Sequence, residues 1–473
     1  MKVSDRGVAA GLVLLVIVAR LPFATQTLWA WDSVLYARAL EHGFDVGVDL
    51  ADQRPHPPGY LFYVGAGAAA RLLTGNSNAA LVVISVLASA LSAAAVYLLC
   101  RRYADRALAV VIALGAATAP LVWTYGEVAM PYALLGLLSI VLAVTLRDAR
   151  YRPWPAALIA SASLGLAAGF RQDVLLLLGP LWLWMLAARS WRERVICAGA
   201  LGVAALGWFV PSALLSGGTA AYLASLGGQA GRVSELSPAA GGDALLRNTL
   251  LTVYALWWGL VGFALLLVAA IVARLLSRRR LSENAAFFAL WLVPAALVYV
   301  TIHIGDPGYL MSMLPGLYVL CAVLLAPIAA SAPRAAVAFV ALLLVINIGV
   351  FVAADTSFSA RAIARHDSSL DQRVAFIRGR FPAASTAILA QSEYLTARYY
   401  LPEYRVLFFG DHPEVLSRAV REVRITSPTT LVIFGTLTSG STELAMPSHP
   451  GDPVFWGDVE GTISLVAYDL EPR

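Results

Sequence analysis

AALVVISVLASALSAAAVYLLC, residues 79–100, runs for 22 positions without a charged side chain. About 20 apolar residues at 1.5 Å each cross the roughly 30 Å of a bilayer's hydrocarbon, so this stretch predicts a membrane span. Comparable runs lie at 7–23, 107–124, 129–146, 155–170, 173–188, 195–215, 248–274, 284–302, 309–328 and 335–354. Together they predict an α-helical polytopic membrane protein with about 11 transmembrane helices. Residues 155–188 are too long for one crossing. Arg171, Gln172 and Asp173 sit at their middle, which predicts a hairpin there. Residues 8–23 have no small-residue cleavage site before Trp29 and read as an uncleaved first span.

Composition agrees. Of 473 residues, 59% are hydrophobic and only 13% charged, with mean hydropathy +0.74, against about 25% charged in a soluble domain. Lys2 is the one lysine, and no basic tract interleaved with aromatics appears, which excludes nucleic acid as a partner. Cys100, Cys197 and Cys321 lie in or beside apolar runs without metal-ligand spacing. Charge then divides the chain. Asp, Glu and Arg make up 25 of the 119 residues from Asp355 onward, a soluble-like density. A membrane module at 1–354 and a soluble domain at 355–473 follow. In the latter, Ala383–Leu389, Tyr404–Phe409 and Thr429–Phe434 read as strands and Asp367–Arg380 and Pro413–Val423 as helices, an α/β pattern.

Arginine placement sets orientation. With Lys2 and Arg6 inside, the inner loops carry Arg101, Arg102, Arg106, Arg147, Arg150, Arg152, Arg189, Arg192, Arg194, Arg274, Arg278, Arg279, Arg280 and Arg334. This is the positive-inside pattern of a multi-pass plasma-membrane protein with an extracytoplasmic C-terminal domain. The same parity puts 24–78, 125–131, 171–173, 216–247 and 303–308 outside. It requires 57–74 to lie along the interface, continuing an amphipathic helix at 32–43. The 216–247 segment, Gly- and Ser-rich, reads as a mobile loop holding Arg232, Glu235 and Arg247.

All six histidines then fall outside, as do Asp32, Glu127, Asp173 and Asp306, each at the outer end of a span. Ionisable groups at such depth mark functional cavities. Asp32, in Trp29-Ala30-Trp31-Asp32, suits a general base for an acceptor hydroxyl; it would serve equally as the cap of the following helix. His56-Pro57-Pro58-Gly59-Tyr60 is a rigid turn that aims His56 at a phosphate or metal, or simply starts an interfacial helix anchored by Tyr60 and Tyr63. Glu127, with Tyr132 close behind, would partner Asp32 as a second catalytic acid, or be a solvated loop acid. Arg171 at an outer tip suits phosphate recognition, with a local pair to Asp173 as the plainer alternative. His303 and Tyr309 flank a Gly-rich turn suited to contacting a lipid phosphate or sugar.

These residues resemble a known signature. Trp31-Asp32-Ser33 with Tyr36-Ala37 and Leu40, then His56-Pro57-Pro58-Gly59-Tyr60, is similar to the first loop of the glycosyltransferase C superfamily, in its protein O-mannosyltransferase-like branch. Gly126-Glu127-Val128, Gly169-Phe170-Arg171-Gln172-Asp173 and Gly308-Tyr309-Leu310 add weaker matches across the membrane module. The resemblance implies a polyprenyl-phosphate sugar donor, inversion at the anomeric carbon, Asp32 as base and Arg171 as the phosphate-binding cation. Relatives carry a second acid where this chain has Ser33. That departure shifts weight to Glu127 and leaves a divalent-cation site on Asp32, Glu127 and His56 open, with no other cofactor expected. The acceptor is a glycan, lipid or protein. Competing readings are a lipid-linked sugar flippase, favoured by repeated halves, and a polysaccharide polymerase or ligase; no repeat is present.

Overall fold

The computed structural model describes residues 4–47, 53–268, 283–409, 423–436, 449–465 and 467–469. The chain divides into two compact units. The first comprises Met1–Ala24, Tyr60–Pro211 and Gln229–Ile363; the second comprises Thr25–Gly59, Ser212–Gly228 and Ala364–Arg473.

The helices in chain order are α1 Asp5–Arg20, α2 Trp31–His42, α3 Leu61–Thr74, α4 Ser77–Cys100, α5 Arg106–Thr118, α6 Pro120–Tyr125, α7 Tyr132–Tyr151, α8 Trp154–Ala167 and α9 Asp173–Ala187. There follow α10 Trp191–Leu215, α11 Thr219–Glu235, α12 Ala244–Leu260, α13 Gly262–Val268, α14 Glu283–Thr301, α15 Leu314–Ser331, α16 Pro333–Ala353, α17 Ala360–Arg380 and α18 Tyr394–Tyr400. Among the described residues six helices are long and apolar enough to cross a membrane, or seven if the bent pair α12 and α13 forms one span. Five shorter apolar helices, including α8 and α9 with 14 and 15 residues, accompany them.

Within the first unit, α4 is central and packs on α1, α3, α5 and α7. Its run of Ala and Ser (Ala88, Ser89, Ala90, Ser92, Ala93) permits this, because small side chains let helix backbones approach closely where lipid supplies no hydrophobic drive. At one end of this unit the arginines cluster. Arg102 grips Asp148 bidentately at 2.6 and 2.8 Å, Arg101 and Arg106 reach Asp5, and Arg189 binds the carbonyls that end α7.

Several expectations need correcting. The span 107–124 breaks at Ala119, which takes an extended conformation (ψ 131°) because Pro120 follows. The span 248–274 breaks at Val261, where φ is +47° and the axis turns by 108°; its residues 269–274, with Arg274, lie outside the described residues. Residues 216–247 are largely helical, in α11 and a turn at Pro238–Ala240, rather than a loop. The helix α3 starts only at Leu61 and does not continue α2: residues 43–60 intervene, closed by an antiparallel bridge between Asp45 and Arg54.

In the second unit, the strands are β1 Thr386–Ala390, β2 Arg405–Phe409, β3 Val423–Thr426, β4 Thr430–Phe434, β5 Phe455–Asp458, β6 Thr462–Leu465 and β7 Ala467–Tyr468. A five-stranded sheet has order β5-β4-β1-β2-β7, with β4, β1 and β2 parallel and the outer two antiparallel. The central three are the expected apolar strands, since strands covered on both faces read as continuous apolar runs. β3 pairs separately with β6. The helix expected at Pro413–Val423 and His412 fall almost wholly outside the described residues.

Candidate active site

Segments at or beside three turns expected outside from parity, 125–131, 171–173 and 303–308, meet within the first unit. Arg171 lies between them. It is 4% exposed, and its Nε donates to Asp173 at 2.8 Å. Tyrosine rings from three separate elements surround its guanidinium: Tyr309 at 4.7 Å, Tyr132 at 4.9 Å and Tyr60 at 5.6 Å. Burial opposes the positive charge, but Asp173 and the three tyrosines outweigh it and keep the group cationic. Local sequence explains the closeness. Gly308 lies so near Tyr132 that a Cβ there would stand 2.3 Å from its ring. Tyr60 takes a left-handed conformation (φ 50°, ψ 50°), unusual for a bulky residue, and so starts α3 with its ring facing Arg171.

Around this cage, Asp306 caps its own turn by accepting from Gly308 N–H at 2.7 Å and also accepts from the Tyr125 hydroxyl. The Tyr299 hydroxyl donates to the Tyr309 carbonyl at 2.9 Å. His303 stands edge-on to Tyr309 with ring centroids 6.3 Å apart. Its Nδ1 is buried without a partner, and burial, aided by the charge of Arg247, lowers the ring's pKa. Glu127 is fully buried in the same unit. The Trp123 indole donates to its Oε1 at 2.5 Å, and Arg20 lies 4.0 Å away. Burial pushes its carboxyl up to about 8 against the pull of Arg20 and Trp123. Sequence paired Glu127 with Asp32 as a second catalytic acid; in the structure its Oε1 faces Trp123 and Arg20, and its Oε2 is buried without a hydrogen-bond partner.

The second unit holds Asp32 and His56. Asp32 lies in the first turn of α2, whose cap is Ala30, so its carboxylate is not spent as the cap. It is 31% exposed on its side chain, with its Oδ2 3.5 Å from His56 Nε2. His56 Nδ1 contacts the Pro57 carbonyl at 2.7 Å, fixing the ring. The turn is built around Gly59 (φ +106°), where a Cβ would strike Phe44 at 2.5 Å and Val46 at 2.7 Å. Among the described residues no three His, Cys, Asp or Glu side chains gather as metal donors.

Residues 55–214 match the family model for dolichyl-phosphate-mannose-protein mannosyltransferase. Among solved structures, ArnT from Cupriavidus metallidurans bound to undecaprenyl phosphate matches with a TM-score of 0.58 and 13% identity, over 95% of this chain and 97% of that one. The apo oligosaccharyltransferase of Archaeoglobus fulgidus matches with a TM-score of 0.51 and 13% identity, over 85% of this chain and 64% of that one. The chain has the glycosyltransferase C fold. The family match spans about a third of the chain and takes in the His56–Tyr60 turn but not Trp31–Leu40. Curated proteins give no sequence match.

The glycosyltransferase C fold of this chain thus gathers Arg171, Asp173, Tyr60, Tyr132 and Tyr309, with His303 beside them, in one unit. It gathers Asp32 with His56 in the other. Sequence reasoning missed Arg20, whose Nη1 and Nη2 donate to the carbonyls of Trp123 at 2.7 Å and Ala117 at 2.9 Å. A charge at the end of an otherwise apolar span was the available signal. Tyr125 and Tyr299 had none, since tyrosines near a membrane surface read as ordinary interfacial anchors.

Proposed function

We propose that this protein is an inverting glycosyltransferase that moves a sugar from a polyprenyl-phosphate donor to an acceptor hydroxyl at the extracytoplasmic face of the plasma membrane. The observation that carries it is the partly exposed Asp32 carboxylate beside a fixed imidazole, in the first loop of a chain with the glycosyltransferase C fold. ArnT of the same fold binds undecaprenyl phosphate, which supports a polyprenyl-phosphate donor.

In this reading Asp32 takes the proton of the acceptor hydroxyl as that oxygen attacks the anomeric carbon from the face opposite the phosphate. The bond from carbon to phosphate oxygen breaks with its electron pair, and polyprenyl phosphate leaves as an anion that needs little protonation. Fixed positive charge should therefore contribute more than acid catalysis. His56, anchored through Nδ1, orients the Asp32 carboxylate. Arg171 is assigned to the donor phosphate, with Tyr60, Tyr132 and Tyr309 as the surrounding wall, Asp173 as its anchor and His303 beside them for the donor. Glu127 supports the turn between Tyr125 and Tyr132. No step is routed through a cation. The arginine cluster at one end of the first unit supports a cytoplasmic N-terminus.

The test is to incubate the protein in lipid nanodiscs with a panel of polyprenyl-phosphate sugars and follow consumption of each. One donor should be consumed, with inversion of anomeric configuration, and Asp32→Asn should abolish turnover while the protein still folds. Full turnover by Asp32→Asn would remove the base, and translocation of the intact donor without transfer would make the protein a flippase.

A further inference from the structure

Residues 24–30, just before α2, form neither helix nor strand. Yet Thr25, Thr27 and Leu28 are buried, at 3%, 4% and 1% exposure. Buried backbone polar groups need partners, and side chains 338 to 372 positions away supply them. Both oxygens of Asp367 are engaged. Oδ2 accepts from Gln26 N–H at 2.9 Å, and Oδ1 accepts from Thr27 N–H at 3.0 Å and the Thr27 hydroxyl at 2.5 Å. Leu28 N–H donates to the Tyr400 hydroxyl at 2.8 Å. The Leu28 carbonyl meets His366 Nε2 at 3.0 Å, and the His366 ring lies 4.7 Å from that of Trp29. At the far end of α2 the Tyr399 hydroxyl donates to Glu41 at 2.7 Å. All these groups belong to the second unit.

We infer that the C-terminal α/β domain positions the Asp32 carboxylate, and that Asp367 is the positioning residue. The inference rests on Asp32 being the base. Neither α17 nor α18 supplies a reacting group. They clamp the strand of chain that ends at α2, and Asp32 lies four residues beyond the last clamped backbone group. Proton removal from an acceptor demands reacting atoms about 3–3.5 Å apart, and a misplacement of about 1 Å costs roughly 10²-fold in rate. A segment without regular structure cannot hold that tolerance by itself. Three hydrogen bonds to one ionised carboxylate can, since charge-assisted bonds are about twice as strong as neutral ones. The geometry also separates charge from shape. Asn at 367 would keep the size of Asp but present an NH2 group to one of its present donors, so it should retain only part of the clamp.

The experiment uses the full chain in nanodiscs with two readouts. Hydrogen–deuterium exchange of the peptide covering 24–36 needs no substrate. Steady-state turnover uses whichever polyprenyl-phosphate sugar of the panel the wild type consumes. Asp367→Ala should raise exchange in that peptide about tenfold or more and lower kcat about 10- to 100-fold, with the donor KM unchanged within about threefold; Asp367→Asn should fall between. A merely structural role would lower the yield of folded protein and leave the kcat of the folded fraction intact. If Asp367→Ala does not accumulate, Tyr400→Phe and Thr27→Val, which each remove one bond, take its place with smaller effects in the same direction. Unchanged exchange, or raised exchange with wild-type kcat, overturns the inference. Asp32→Asn separates the two ideas. Turnover retained there defeats the base assignment, whereas turnover lost there but kept in Asp367→Ala defeats only the clamp.

Discussion

Replacing Arg171 by Met keeps much of its volume and removes its charge. Three tyrosine rings lie within 4.7–5.6 Å of the guanidinium. At about 0.5–1 kcal/mol each these contacts are worth roughly 2 kcal/mol. Asp173, now without its 2.8 Å donor, adds about 1 kcal/mol for a half-buried acceptor left unpaired. Arg171→Met should therefore cost about 3 kcal/mol in stability, measured by denaturant unfolding in detergent with intrinsic tryptophan fluorescence. Arg171→Lys keeps the pair with Asp173 but offers a point charge instead of a plane to the rings, and should cost about half as much. If the guanidinium also serves the donor phosphate, the donor KM rises in Arg171→Met and much less in Arg171→Lys. Stability within about 0.5 kcal/mol of wild type, with an unchanged donor KM, would refute both the keystone role and the phosphate assignment.

Glu127→Gln tests the enclosed acid through pH. The folded carboxyl sits at about 8 against an ordinary 4.5, so between those values the folded state binds more protons and stability falls as pH rises. The Tm of Glu127→Gln should thus pull ahead of the wild type from pH 5 to pH 8 and level off above; a constant gap would contradict this. Gly308→Ala drives a methyl against the Tyr132 ring and should cost about 1–3 kcal/mol as overpacking, read by the same unfolding assay and relieved in the double variant with Tyr132→Ala. Trp123→Phe removes the donor to Glu127 Oε1 and should destabilise by about 1–3 kcal/mol at neutral pH.

Much of the fold could be read because a membrane reduces the choices. Apolar runs must be helices, and arginines report which ends meet. Parity put the turns beside Tyr132, Arg171 and Tyr309 on one side, and in the structure the two tyrosine rings and Asp173 surround the Arg171 guanidinium. In the C-terminal domain the central strands Thr386–Ala390, Arg405–Phe409 and Thr430–Phe434 were legible for a different reason, their continuous apolar runs. What escaped was set by contacts remote in sequence. Arg20 meets the carbonyls of Ala117 and Trp123 about a hundred positions away. Asp367 reads in sequence as one more acid on a polar helix, and nothing local pairs it with Gln26 and Thr27. The edge strand Phe455–Asp458 alternates neither with period two nor as a buried run, because only one side of it is paired. The break at Val261 defied prediction for a plainer reason: β-branched residues rarely adopt positive φ, and only tertiary packing forces it.

The hairpin of α8 and α9 has a further consequence. At 1.5 Å per residue their 14 and 15 residues give apolar rods of about 21 and 22 Å, well short of the lipid tails they must stand among. A bilayer that takes in this hairpin as two crossings is expected to thin beside it, at the tip where Arg171 sits. A phosphate-headed lipid drifting into that dimple would find its headgroup already lowered toward the tyrosines, and the protein should favour thin bilayers over thick ones.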